Sequence, residues 1–121
     1  MKWLRNWTRP TAAAATAIGL LAFAARAETD KKTERLWKAK CASCHGADGK
    51  AATDQGKKMG VADYKTAQWQ KGRSDSQLKK AILEGVKQER DGKKQEMDGY
   101  KDQLTPEQVE QLVAHIRALA K

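Results

Sequence analysis

Cys41-Ala42-Ser43-Cys44-His45 holds the only two cysteines of the chain, so both thiols are committed to one short site. The C-x-x-C-H spacing is that of covalent haem attachment. Each thiol can form a thioether with one vinyl group of the porphyrin, and His45 can then present a ring nitrogen to the iron. One haem c, anchored by Cys41 and Cys44 and ligated by His45, is the cofactor this string implies. Three other chemistries use the same residues. A thioredoxin-like redox pair needs a βαβ context, and no strand pattern supplies one. A zinc site built from Cys41, Cys44, His45 and His115 lacks the usual ligand spacing and a second cysteine pair. A disulfide between Cys41 and Cys44 closes too small a loop to stabilise much.

The segment before the site indicates where it works. Lys2, Arg5 and Arg9 open the chain with positive charge, residues 11–25 form an Ala-rich apolar stretch, and Ala25-Arg26-Ala27 places small residues at the cleavage-determining positions. Residues 1–27 read as a secretory signal peptide. The stretch is too short and too weakly apolar for a retained membrane span, so no stable membrane insertion is expected after cleavage. Export suits haem attachment to a translocated chain, and the expected location is the bacterial periplasm. Cleavage removes four basic residues and no acid from a chain of net charge +9, leaving 94 residues, 28–121, with net charge +5. Acids interleave with the lysines throughout, which argues against a nucleic-acid arm.

Those 94 residues contain only twelve Leu, Ile, Val or Phe, about 13 per cent, within the range associated with disorder. A chain so short and so poor in core residues needs a staple, and a wrapped haem would supply the missing apolar centre. Three helical segments are predicted. The first runs from about Asp30 into the cysteine motif, with Leu36 and Trp37 as its large apolar residues. The second starts at Ser74, which stands at capping-box spacing from Gln77, and continues through Leu78, Ile82 and Val86 toward Gly85. The last opens at Thr105-Pro106-Glu107-Gln108 and carries Val109, Leu112, Val113, Ile116 and Leu119 as one stripe. No alternating strand pattern of useful length appears. The connections, residues 46–73 and 87–104, are long enough to argue against a compact domain unless they pack on a haem.

Residues 30–120 as a whole resemble a small bacterial class I, monohaem cytochrome c. The features that carry the resemblance are the opening helix, Cys41-Ala42-Ser43-Cys44-His45-Gly46-Ala47-Asp48-Gly49, the late Met97-Asp98-Gly99-Tyr100 loop, and Leu104-Thr105-Pro106-Glu107 starting a final helix. The resemblance implies an all-α, cytochrome c-like fold, with three or more helices and long loops wrapped around one covalently attached haem. It also implies that Met97 is the second axial ligand, with Met59 as rival and His115 or an open position as further choices. Two departures stand out. Many relatives have proline after the distal methionine, where this chain has Asp98, and many carry a proline after the motif whose carbonyl orients the proximal imidazole, whereas the mature chain has only Pro106. Backbone at Gly60 or Val61 is the candidate substitute. Relatives usually show Tyr or Phe where His115 stands, and packing near Trp37 is the expected role. Trp69 and Tyr64 are candidates for haem propionate contact or for core packing.

Iron held by His45 and Met97 has no position left for substrate, which points to a one-electron carrier and not an enzyme. The expected partners are redox proteins, and lysines 57, 58, 71, 79, 80, 93, 94 and 101 could steer the chain, expected to be a monomer, toward acidic docking surfaces. An open distal site would point instead to a peroxidase-like or gas-binding haem protein, and co-purification with a catalytic partner to the haem subunit of a dehydrogenase.

Overall fold

The computed structural model describes residues 30–121 together with Ala22 and Glu28. The expected leader, residues 1–27, lies outside the described residues except for Ala22. Helix α1 covers residues 30–40, and its inward face is Thr33, Leu36, Trp37 and Lys40, the spacing of one helical stripe. Short helices α2 (Ala42–His45), α3 (Asp54–Met59) and α4 (Ala67–Lys71) follow, then α5 (Asp75–Glu84), strands β1 (Val86–Arg90) and β2 (Lys93–Met97), and α6 (Pro106–Ala118).

Both predicted capping boxes form. Ser74 and Gln77 exchange side-chain and backbone hydrogen bonds at the start of α5, as Thr105 and Gln108 do at the start of α6, where Pro106 takes the first helical position. Each satisfies backbone donors that a helix start otherwise leaves unpaired. Leu78 and Ile82 of α5 and Val109, Leu112, Val113 and Ile116 of α6 are then buried together with Trp37 and Leu104 in one core. Arg117 locks this pair of helices to the preceding connection. Its guanidinium donates to Asp75 Oδ1 (2.8 Å), Gln70 O (2.7 Å) and the Arg73 carbonyl.

The long connections are more ordered than the sequence suggests. Residues 46–73 contain α3 and α4, each started by a threonine side chain, Thr53 or Thr66, that accepts from a backbone N–H in the first turn. Residues 86–97 form a two-stranded antiparallel hairpin with Arg90 opposite Lys93 and Val86 opposite Met97. The sequence reading places residues 87–97 in a loop, on their charges and lack of periodicity, and Val86 in the second helix; that helix instead ends at Glu84 and Val86 opens β1, whose residues are mostly exposed. What closes the hairpin is Asp91-Gly92, both at positive φ (52° and 72°), the conformation of a tight two-residue hairpin turn. The helical class stands, with this hairpin added to it. Among the described residues no helix is long and apolar enough to cross a membrane.

Candidate haem site

The cysteine motif sits where α1 turns into α2. Cys41 N donates to Trp37 O (2.8 Å) and His45 N to Cys41 O (3.0 Å), so the chain stays coiled from α1 through His45. The turn is fixed from outside by Trp37, whose buried Nε1 donates to Gly46 O (3.0 Å). Thr53 ties α3 to the same place, donating to Cys44 O (3.1 Å) while it caps its own helix. Cys41 and Cys44 are free thiols, each partly buried.

Both cysteines and His45 line a cavity of about 530 Å³. Met97, Tyr100, Val86, Leu78 and Ala81 line it too, as do Met59, Val61, Tyr64 and Trp69. The structure therefore brings all four predicted site residues, Cys41, Cys44, His45 and Met97, to one space. Met59 also reaches it, but in a different setting. Its sulfur accepts from Gln55 Nε2 (3.3 Å), and it borders a second, outer depression beside Lys94 and Glu96.

The imidazole of His45 is held by shape. Its ring stacks on Tyr64 at 4.8 Å and contacts Trp37 at 5.7 Å, and Tyr64 in turn stacks on Trp69 at 3.9 Å. Its buried Nδ1 has no hydrogen-bond partner. The Gly60 carbonyl, a predicted acceptor for it, instead receives Gln95 Nε2 at 2.7 Å. Burial lowers the His45 pKa to about 4, which keeps the ring in the neutral form that ligates a metal. Burial pushes the Cys41 thiol up to about 11, opposite to the lowered value of a redox-active C-x-x-C pair. The only strands among the described residues pair with each other antiparallel, so the βαβ setting of such a pair is missing as well.

Two half-buried thiols, a half-buried imidazole held neutral and two methionines on a cavity more apolar than polar fit a covalently held iron porphyrin. Fold and site together define a c-type haem protein. The sequence profile of the cytochrome c family matches residues 31–120, and the chain belongs to that family. Among solved structures it is similar to the KustC0563 c-type cytochrome, at 34% identity over 73% of this chain and 96% of that one, with a TM-score of 0.61. A point mutant of the same cytochrome matches at 33% identity over 72% and 96% of the two chains, with a TM-score of 0.60. No curated protein matches the sequence. As a cytochrome c the protein carries covalently bound haem c with its iron and takes the electron-carrier role of its family.

Tyr100, Gln95 and Lys93 contribute to this site without any local signal in the sequence. Tyr64, a candidate for propionate contact or core packing, packs partly buried against the core and stacks on His45, nineteen positions away in the chain. Tyr100 donates from its hydroxyl to Lys40 O (3.1 Å), which joins the segment after Met97 to the end of α1. Gln95 donates to the carbonyls of Met59 (3.1 Å) and Gly60, and Lys93 Nζ donates to Lys57 O (2.8 Å), so side chains of β2 clasp the end of α3. Only tertiary contact reveals the last two.

Proposed function

We propose that the protein is an exported carrier that passes single electrons between redox proteins, with His45 and Met97 as the two axial ligands and Cys41 and Cys44 as the thioether anchors. The observation that supports this reading is the shared cavity, which His45, Met97 and the two cysteines all line. The bound iron supplies a one-electron change of oxidation state. The chain fixes the ring of His45 against the aromatic faces of Tyr64 and Trp37, and His45 and Met97 would together hold the iron and leave no position for substrate. Met97 supports the carrier over the peroxidase-like reading for that reason. Reduced protein under native conditions should exclude carbon monoxide, and rapid uptake of the gas would overturn the carrier in favour of an open-site enzyme or sensor.

Lys40, Arg73 and Arg90 border the cavity, and Lys57, Lys58, Lys93 and Lys94 are exposed on α3 and the neighbouring hairpin. Glu96 and Asp98 line the cavity as well, so the surface there carries a positive excess, which speeds encounter with an acidic partner and loses that effect as salt rises. An acidic partner protein is the proposed mate, and a transfer rate indifferent to ionic strength would remove the steering. Export rests on the leader, and the mass of the protein recovered from the periplasm, expected to begin at Glu28, checks it.

A further inference from the structure

Met97 is the last residue of β2, directly opposite Val86, the first of β1. Immediately before Val86, Gly85 ends α5 with φ 81° and ψ −175°, a backbone conformation open to essentially glycine alone. Its position is also crowded. A Cβ there would fall inside contact distance of the Met97 carbonyl oxygen and lie 2.8 Å from Gly99 N. Gly99 meets the same junction from the other side, where a Cβ would lie 2.5 Å from Leu83 O and 2.7 Å from Glu84 C. Between them Tyr100 N donates to Ile82 O (2.9 Å) and Lys101 N to Leu83 O (3.2 Å). The last turn of α5 and the segment after Met97 thus dock backbone against backbone, with no side chain between.

We propose that Gly85 and Gly99 are positioning residues for the distal ligand: their bare contact sets how deeply the backbone of Met97 enters the cavity wall, and so whether its sulfur reaches the iron. The inference rests on the reading of Met97 as ligand. A methyl group at either glycine wedges the two backbones apart, and the hairpin register transmits the displacement to Met97. Cys41, Cys44 and His45 belong to α1 and α2, so haem attachment proceeds without this contact.

The test compares Gly85→Ala and Gly99→Ala with Met97→Ala and with Gly92→Ala, in holo-protein. Gly92 has positive φ (72°) but nothing within 4 Å of an added Cβ, so it reports strain in the hairpin without the wedge. The readouts are haem stoichiometry, the near-infrared sulfur-to-iron band of the oxidised protein, and carbon monoxide uptake by the reduced protein. Gly85→Ala and Gly99→Ala are expected to keep one attached haem, lose the band and take up the gas, as Met97→Ala does, while Gly92→Ala keeps the band. Gly99 needs no left-handed backbone, so its variant carries the steric effect alone and decides the matter if Gly85→Ala does not accumulate. A band intact in Gly99→Ala, or lost equally in Gly92→Ala, overturns the inference while leaving Met97 as ligand. A band that survives in Met97→Ala overturns the ligand reading and the positioning role with it.

Discussion

Two methionines line the cavity, and their surroundings separate them. Met59 already accepts from Gln55 and sits at the outer rim, whereas Met97 ends a strand whose backbone is held on both sides, by Val86 and by the last turn of α5. A thioether ligand favours the reduced iron, so its loss lowers the reduction potential. Met97→Ala is therefore expected to lose the sulfur-to-iron band and shift the potential downward, while Met59→Ala leaves both near the wild-type values. The reverse pattern in potentiometry and near-infrared spectra would exchange the two assignments. Attachment was legible in the sequence because covalent chemistry fixes its own spacing: Cys41, Cys44 and His45 are neighbours in the chain before they are neighbours in space. The support around them was not. Tyr64 and Gln95 act through contacts 19 and 35 residues away, with His45 and Gly60, and no local pattern encodes such a pairing.

Helices with capping boxes and apolar stripes, α5 and α6, were readable because both signals are local. The hairpin was not, since strands such as Val86-Lys87-Gln88-Glu89-Arg90 bury almost nothing, and its one local sign was Asp91-Gly92. At the crossing of α1 and α6 the chain places His115, where its ring contacts Trp37 at 5.2 Å and its Nε2 is buried without a partner. This agrees with packing near Trp37. Burial lowers the His115 pKa, and the carboxylates of Glu34 and Asp30 on α1 offset part of that. The unfolded chain therefore takes up this proton at a higher pH, near 6.5, than the folded chain does. Stability from His115 is fully present above that value and is lost as pH falls through it toward the folded pKa. Thermal melts of holo-protein from about pH 7.5 to about 5.5, a range chosen to bracket that ordinary value, should show a steeper decline for wild type than for His115→Phe. Equal slopes would mean that this histidine is not linked to folding.

At the scale of the whole molecule, the apolar residues gather in one place and the cofactor's space lies beside it. Trp37, Leu78, Ile82, Leu104, Val109, Leu112, Val113 and Ile116 form the core, and Leu78 belongs both to it and to the cavity lining. The surface ion pairs between these elements, such as Lys79 with Glu110 across α5 and α6, are exposed and contribute little. Eight buried side chains must therefore stabilise a structure that also leaves an open cavity of about 530 Å³ for the haem. Without the haem, water in this open cavity meets Leu78, Ala81, Val86 and Tyr64, which weakens the apolar contact that joins α5 and the hairpin to the motif. A haem over these faces supplies the burial they lack, so the fold is expected to depend on its cofactor. A Cys41→Ala, Cys44→Ala double variant, isolated without haem, should lose most of the helical circular dichroism of the holo-protein and show no cooperative melt. Native-like ellipticity with a sharp transition would instead mean that the α1, α5 and α6 core folds unaided, and that the haem fills a scaffold already formed.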